Sequence, residues 1–230
     1  MDARVQTERM MASAEGRPEF SVVSPVRNEA ENVESLVREI AQALAGRAFE
    51  IIFVDDSSQD DTRARLFALK DKIPNLRVIG HRKNAGQSRA VRTGVLAARS
   101  PVVLTLDGDG QNDPGDLPGL LAQLNRADAP GDLGLVQGRR DKRIDSGWKK
   151  FGSRFANNIR RSMLKDSNTD SGCGMRAFKR DAYLQIPYFD HMHRYLPALM
   201  QSEGFMVEER AVGHRARQHG QSNYTNFGRL

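Results

Sequence analysis

The chain contains one cysteine and one tryptophan, and it has no long run of apolar residues. The single thiol, Cys173, excludes an intrachain disulfide and is typical of a reducing compartment. No window approaches the roughly eighteen consecutive apolar residues of a transmembrane helix, so no segment of the sequence is predicted to cross a bilayer. Residues 1–19 also lack the apolar stretch of a signal peptide, and we expect them to form a disordered lead.

The charge balance points to an anionic partner. Lysine and arginine number 35 against 29 aspartates and glutamates, which gives a formal net charge of +6. Such an excess of cations attracts nucleic acid, an anionic lipid surface or a phosphorylated substrate, and charge alone does not choose among them. With 230 residues, of which 39% are hydrophobic, the chain is long enough for one sizeable α/β domain.

Short apolar runs alternate with helical stretches from Phe20 onward. The predicted strands cover residues 20–26, 49–54, 76–80, 101–106 and 133–138, and further short strands are predicted within residues 173–230. The predicted helices cover residues 32–45, 62–72, 87–98, 117–126 and 195–202. Short, nearly continuous apolar runs are typical of strands buried on both faces of a parallel sheet. The alternation therefore predicts an α/β fold, with a doubly wound, mostly parallel central sheet and helices on both faces.

Four successive predicted strands end in polar residues. The segments that follow them are 27–29, 55–62, 82–88 and 107–112. In open α/β sheets, ligands bind beyond the carboxyl ends of the strands. One shared cleft explains four polar strand ends better than four unrelated loops do.

Two carboxylates, Asp107 and Asp109, stand two residues apart directly after the fourth predicted strand. Hard oxygen ligands at this spacing suit Mg²⁺ or Mn²⁺, which keep several waters and take substrate phosphates as further ligands. Alone the pair is a weak signal, because Asp-x-Asp also recurs in turns. Asp55 and Asp56 strengthen it by placing carboxylates at a second strand end. The alternative is that Ser58, Asp60 and Asp61 cap the next helix; capping accounts for some of these residues and does not need Asp55 and Asp56 as well.

The segment 139–165 combines many basic residues with regularly spaced apolar ones. The apolar residues recur every three or four positions and draw one stripe on a helix: Trp148, Phe151, Phe155, Ile159 and Met163. Because lysines and arginines flank the stripe, the segment predicts an interfacial helix on an anionic membrane surface. The alternative is a helix packed on the sheet with a solvated basic rim.

Six segments occur in an order typical of one family: SVVSPVRNEAENV, EIIFVDDSSQDDT, NAGQSRAVRTG, LTLDGDGQNDP, DSGCGMRAFKRDAY and HRARQHGQSNY. Through them the chain resembles the family 2 glycosyltransferases, in particular the branch that contains dolichol-phosphate mannose synthase and bacterial polyprenyl-phosphate sugar transferases. The resemblance implies a GT-A (Rossmann-like) fold over residues 20–230. Within it, 20–113 would form a nucleotide-binding half and 114–230 an acceptor- and membrane-facing half.

The resemblance also implies roles for individual residues. Those implied to bind the nucleotide sugar are Pro25, Arg27, Glu29, Asp55, Asp56, Asn84, Gly86, Ser88, Asp107 and Gly108. The implied ligands of Mg²⁺ or Mn²⁺ are Asp107, Asp109 and Gln111. Those implied to bind the acceptor or its phosphate are Arg140, Arg154, Arg176, Arg217, Ser222 and Asn223. Asp109 and Arg140 are the catalytic candidates. Many relatives carry lysine at the position of Asn223, so this chain departs from the pattern there.

The implied reaction is an inverting transfer of a sugar from a nucleotide sugar to a polyprenyl phosphate in the synthesis of envelope glycans or lipids. The resemblance favours a UDP-sugar as the donor, with GDP-mannose as the alternative. A lipid phosphate is already an anion at neutral pH and needs no catalytic base. The sequence is consistent with an acceptor that needs no base, because it lacks the acidic pair and the Gln-x-x-Arg-Trp box that family 2 polysaccharide synthases carry at the acceptor site.

The expected location of the protein is the cytoplasmic face of the cytoplasmic membrane, where it would be either peripheral or anchored by segments outside these 230 residues. An integral-membrane partner and a homo-oligomer are both left open.

Three other functions compete with this interpretation. A glycosyltransferase acting on a glycan or protein hydroxyl would need a base, and the candidates Asp170 and Glu203 form no recognisable pair. A sugar nucleotidyltransferase would need a glycine-rich loop after the first strand, and residues 26–31 contain no glycine. A nucleic-acid-binding domain would explain the basic segment, but carboxylates at two strand ends would repel a phosphate backbone. We therefore expect no nucleic-acid partner.

Overall fold

The computed structural model describes residues 17–140, 170 and 172–217, and its helices and strands are numbered within that part. The strands are β1 (Phe20–Val26), β2 (Phe49–Asp55), β3 (Leu76–Gly80), β4 (Val102–Thr105), β5 (Leu133–Arg140), β6 (Arg176–Lys179) and β7 (Met206–Val212). The helices are α1 (Val33–Ala43), α2 (Thr62–Lys70), α3 (Gln87–Ala97), α4 (Leu117–Leu124), α5 (Arg180–Gln185) and α6 (Leu196–Ser202). The predicted disordered lead, apart from residues 17–19, and the predicted basic helix lie outside the described residues.

Helix α1 illustrates how the local sequence produces these elements. Val33, Leu36, Val37 and Ile40 recur at helical spacing, and all four are buried. They form the apolar stripe that packs against the sheet. The chain turns away after the helix at Gly46, whose φ of +80° is in the left-handed region that glycine adopts without a steric penalty.

The seven strands form one sheet in the order β3-β2-β1-β4-β6-β5-β7. Strands β3, β2, β1 and β4 pair with one another in parallel, and β5 pairs in parallel with β7. Strand β6 lies between β4 and β5 and runs antiparallel to both. The predicted mostly parallel sheet is therefore confirmed. Strand β6, which interrupts the parallel pairing, is a segment of four residues in the part of the chain predicted to carry short strands, but the sequence pattern indicated neither its limits nor its direction.

Two hydrophobic cores lie on opposite faces of the sheet. Helices α1, α2 and α4 bury their apolar residues in one core, and α3, α5 and α6 bury theirs in the other. Neighbouring strand residues alternate between the cores, as Val22 and Val23 do on β1. This alternation explains the nearly continuous apolar runs, because both faces of each central strand are covered. No helix in the described part of the chain is long and apolar enough to span a membrane.

The packing of α3 on β1 leaves no room for a side chain at Gly94. A Cβ atom built there would lie 2.3 Å from Cγ1 of Val23. We predict that Gly94→Ala lowers the free energy of unfolding by about 1–3 kcal/mol, because overpacking outweighs the gain in helix propensity. Urea denaturation measures the effect. The double variant with Val23→Ala should recover part of the loss, and equal stability of Gly94→Ala and the wild type would contradict this packing.

Candidate active site

A cavity of about 370 Å³ lies at the carboxyl ends of strands β1, β2 and β4. Parallel strands bring the segments that follow them to the same edge of the sheet, which explains why residues distant in sequence meet there. The cavity is lined by Pro25, Val26, Arg27, Glu29, Asp56, Asn84, Gly86, Gln87, Ala90, Asp107, Gly108, Asp109, Gln111 and Arg217. Most of the residues predicted to bind the nucleotide sugar and the metal are therefore brought together.

Asp56 organises the loop between β3 and α3. Its carboxylate accepts hydrogen bonds from the backbone N–H groups of Ala85 and Gly86, both at 2.8 Å, and lies 2.8 Å from Nδ1 of His81. Gly86 has a φ of +86°, a conformation that residues with a side chain rarely adopt. The carboxylate and the glycine together fix the loop that presents Asn84 to the cavity.

Asp55 does not line the cavity, and its side chain is fully buried. One carboxylate oxygen lies 2.6 Å from Nε of Arg63 on α2, and the other accepts a hydrogen bond of 3.0 Å from the backbone N–H of Ser58. Asp60 accepts from the N–H of Thr62 at the start of the same helix. Local structure thus accounts for Asp55 as well as for Asp60, contrary to the expectation that capping would leave Asp55 unexplained.

The loop that carries Asp107 and Asp109 is packed tightly against the end of β1. A Cβ atom at Gly108 would lie 2.3 Å from Cγ1 of Val26 and 2.9 Å from the carbonyl oxygen of Pro25. The backbone N–H of Asp107 also donates to the side-chain oxygen of Asn112 at 2.9 Å. The glycine between the two carboxylates is therefore required by close backbone packing, and it sets their positions in the cavity wall.

Asp107 is held at the wall of the cavity by contacts from two directions. The side-chain amide of Gln87 donates a hydrogen bond of 2.9 Å to its Oδ1. On another side the backbone of Gly174 approaches so closely that a Cβ atom there would lie 2.3 Å from Oδ2. Burial and then the nearby charge of Asp109 raise the pKa of Asp107 to about 6. The positive charges of Arg176 and Arg140 act in the opposite direction.

Residues 213–217, called here the C-terminal strap, run along the loop that follows β4. The N–H of Gly213 donates to Asp116 at 2.7 Å, and the N–H of Arg215 donates to the carbonyl of Gln111 at 2.8 Å. The Arg215 side chain pairs with Glu39 at 2.5 Å and with Asp113 at 2.8 Å. The strap is thus fastened at several points beside the carboxylate loop.

The last strap residue, Arg217, reaches into the cavity. Its Nη2 donates to Oδ2 of Asp109 at 2.6 Å, and its Nη1 lies 3.5 Å from Oε1 of Glu29. Burial is the largest cause of the raised pKa of Glu29. The hydrogen bond from Asn32 and the positive charge of Arg217 act in the opposite direction and offset part of this rise. The structure therefore places one cation between two carboxylates that belong to separate strand ends.

Besides Asp55, three predicted site residues among those described lie away from the cavity lining. Arg140 forms a two-point ion pair with Asp170, at 2.6 and 2.7 Å. Arg176 is 4% exposed on β6, and its Nε donates to the side-chain oxygen of Gln137 at 2.7 Å. Ser88 is also buried, and its Oγ lies 2.6 Å from a ring nitrogen of His193. Arg154, Ser222 and Asn223 lie outside the described residues.

The donor set of the cavity fits one class of metal ion. Among the described residues, no group of three or more His, Cys, Asp or Glu side chains could hold a metal by itself. Asp107 and Asp109 supply two carboxylates beside a cavity that can admit a ligand. This arrangement suits Mg²⁺ or Mn²⁺, which complete their shells with water and substrate phosphates, and it does not suit a closed four-ligand zinc site.

Three contacts at the site were not predicted. Gln87 and Gly174 fix Asp107, and Arg215 fastens the strap. Gln87 and Gly174 lie within sequence segments typical of the family, so a glycine or amide in such a segment was the available signal. Arg215 also lies within such a segment, HRARQHGQSNY, but its pairing could not be predicted because its partners Glu39 and Asp113 are distant in sequence.

Residues 21–186 match the family model for glycosyl transferase family 2, and the chain belongs to that family. It is 33% identical over 213 residues to dodecaprenyl-phosphate galacturonate synthase from Rhizobium johnstonii, covering 90% of this chain and 62% of the relative. It is 34% identical over 209 residues to undecaprenyl-phosphate 4-deoxy-4-formamido-L-arabinose transferase from Pseudomonas paraeruginosa, covering 89% of this chain and 60% of the relative. The chain thus spans about three fifths of the length of these curated relatives.

Solved structures confirm the GT-A fold. Glucosyl-3-phosphoglycerate synthase from Mycobacterium tuberculosis, in complex with Mn²⁺, UDP-glucose and phosphoglyceric acid, superposes with a TM-score of 0.70 at 19% identity, covering 92% of this chain and 75% of that one. The mannosyltransferase PcManGT from Pyrobaculum calidifontis, in complex with GDP-mannose and Mn²⁺, gives a TM-score of 0.65 at 19% identity, covering 90% and 59% of the two chains.

The raised pKa of Asp107 predicts a pH-dependent cost to stability. Its carboxyl binds a proton more tightly in the folded than in the unfolded chain, so its unfavourable contribution develops as pH rises from about 4 to about 6 and persists above. We predict that, in buffer containing EDTA, Asp107→Asn raises the melting temperature by a few degrees at pH 7–8 and that this gain vanishes near pH 4. The exposed Asp132→Asn serves as the control. A gain that is independent of pH would contradict the assignment.

Proposed function

We propose that this chain carries the catalytic part of an inverting glycosyltransferase that moves a sugar from a nucleotide sugar to a polyprenyl phosphate, for the modification of envelope glycans or lipids. One observation carries the enzymatic part of the proposal. Asp107 and Asp109 meet Asp56 and a cation, Arg217, in a single cavity at the carboxyl ends of parallel strands. This is where α/β folds bind nucleotides.

We infer that the donor nucleotide occupies this cavity. Pro25, Arg27, Asp56 and Asn84 would face the nucleoside, and the loop around Gly108 would face the diphosphate. These residues come from the proposed nucleotide-binding half, residues 20–113, within one GT-A domain of residues 20–230. Arg217 would be contributed by the second half. The family resemblance favours a UDP-sugar, and GDP-mannose is the alternative donor.

A divalent cation is part of the proposal. When bound, Mg²⁺ or Mn²⁺ would neutralise the charge that develops on the departing diphosphate. Asp107 and Asp109 would hold the cation, with Gln111 beside them, and Gln87 would keep the Asp107 carboxylate in one orientation through its 2.9 Å hydrogen bond. The fit rests on the donor set, because two carboxylates leave the remaining coordination positions to water and phosphate.

The acceptor phosphate would act without a general base. It is already an anion, so one of its oxygens can form the bond to the anomeric carbon as the bond to the diphosphate breaks, which inverts the configuration. Arg140 is fixed by Asp170 at the end of β5, and we infer that it orients the incoming phosphate. Arg176 would act indirectly, as a buried positive charge that influences Asp107.

The polyprenyl phosphate is proposed from the two relatives, whose names specify dodecaprenyl and undecaprenyl phosphate. Such an acceptor requires the active site to meet a membrane surface, and we propose the cytoplasmic face of the cytoplasmic membrane. The basic segment 139–165 would provide charge complementary to anionic lipids. A membrane-embedded partner or a second copy of the chain is the alternative means of holding the active site at the membrane surface.

Product analysis by mass spectrometry tests the proposed function. Purified protein is incubated with UDP-sugars or GDP-mannose, with Mg²⁺ or Mn²⁺, and with either undecaprenyl phosphate or soluble sugar acceptors. We predict transfer to the lipid phosphate that EDTA abolishes, and a loss of about 10²- to 10³-fold in Asp109→Asn because charge stabilisation is removed.

Asp132→Asn is the matched control, since it removes an exposed carboxylate that does not line the cavity, and it should retain full turnover. Transfer only to sugar hydroxyls would overturn the proposed acceptor. Full activity of Asp109→Asn would overturn the proposed mechanism.

A further inference from the structure

Asp109 already accepts hydrogen bonds at both of its carboxylate oxygens. Oδ1 accepts from the backbone N–H of Gln111 at 3.2 Å, and Oδ2 accepts from Nη2 of Arg217 at 2.6 Å. The Asp109 side chain is 18% exposed and that of Arg217 is 24% exposed, so the pair is largely shielded from solvent. A largely buried ion pair is screened less by water and salt than one on the surface.

We propose that Arg217 is a resident counter-ion that competes with the divalent cation for Asp109 and is drawn away by the diphosphate of the donor. The inference rests on the proposed function, and it adds a rule for how the site is loaded: the cation binds weakly without nucleotide and tightly with it. Arg217 is a positioning residue in this scheme, because it acts on the cation through Asp109.

The competition follows from charge and space. A divalent cation bound to Oδ2 of Asp109 would stand within a few ångströms of the guanidinium that donates to the same atom, and the two positive charges would repel each other. The guanidinium is also 3.5 Å from Glu29, so two carboxylates stabilise it where it lies. A cation that binds Oδ2 of Asp109 would therefore have to displace a contact that the protein makes with its own side chain.

The diphosphate offers Arg217 a better partner than Asp109 does. A phosphate group presents several acceptor oxygens, and a guanidinium can donate two parallel hydrogen bonds to it. Only the side chain has to move, since the strap backbone is fastened independently by Gly213 and by Arg215. Because Arg217 then leaves Asp109, nucleotide and cation strengthen each other's binding, and by linkage the effect is the same in both directions.

The test is direct measurement of Mn²⁺ binding, which requires no turnover. Mn²⁺ is titrated into the full chain and followed by electron paramagnetic resonance, without nucleotide and with saturating UDP or, in a parallel arm, GDP. In the absence of nucleotide we predict that Arg217→Gln binds Mn²⁺ about three- to tenfold more tightly than the wild type, because it lacks the competing guanidinium. The enhancement of Mn²⁺ affinity by the nucleotide should be smaller in Arg217→Gln than in the wild type.

Arg38→Gln is the matched control. It removes the same charge from an exposed pair with Glu34 on α1, and it should leave Mn²⁺ affinity unchanged. Arg217→Lys keeps the positive charge, and its Mn²⁺ affinity should lie between those of the wild type and Arg217→Gln. An intermediate affinity in this variant would separate an effect of charge from an effect of altered folding. Melting temperatures of all variants are compared in the same buffer.

Mn²⁺ affinity that is unchanged or weaker in Arg217→Gln without nucleotide would overturn the inference. That result is distinguishable from a failure of the proposed function, which would appear as a lack of sugar transfer to lipid phosphate by the wild-type protein. The proposed function would survive the first result if wild-type transfer were intact.

Discussion

The burial of one carboxylate close to a second one at the end of β4 is the constraint around which the rest of the site is arranged. Burial and the proximity of Asp109 make the charged form of Asp107 unfavourable, as its raised pKa shows. The surrounding contacts offset this cost: Gln87 donates to Asp107, and Arg217 pairs with Asp109. A divalent cation would offset it further, so the same electrostatic strain that costs stability would favour binding of a metal with its nucleotide.

The loops around the cavity are ordered by side chains that bond to backbone groups. Asp56 holds the segment after β3 through two N–H groups, Asp55 holds the turn after β2, and Asn112 holds the N–H of Asp107. Buried backbone groups outside helices and strands need such partners. Polar residues at the strand ends therefore serve two purposes, because some build the loops and others face the cavity.

Much of the fold and part of the site could be predicted from the sequence. The limits of strands β1 and β3 agree residue for residue with the prediction, because each mostly apolar run is bounded on both sides by a charged or polar residue. The limits and the antiparallel direction of β6 could not be predicted, because a run of four residues is too short to show a period. The convergence of Asp56, Asp107 and Asp109 followed from parallel strand ends. The structural role of Asp55 could not be predicted, because it depends on the ion pair with Arg63. The pairing of Arg217 with Asp109 could not be predicted either, because the two residues are 108 positions apart in sequence.

We propose that Asp107 and Asp109, together with a nucleoside diphosphate, bind one divalent cation in this cavity. Anomalous X-ray diffraction from crystals grown with Mn²⁺ and UDP or GDP is the decisive experiment, because the signal locates manganese without assumptions about its ligands. We expect a single peak in contact with the Asp107–Asp109 loop and with the diphosphate oxygens. A nucleotide bound in the cavity with manganese elsewhere, or a peak that touches neither carboxylate, would contradict it.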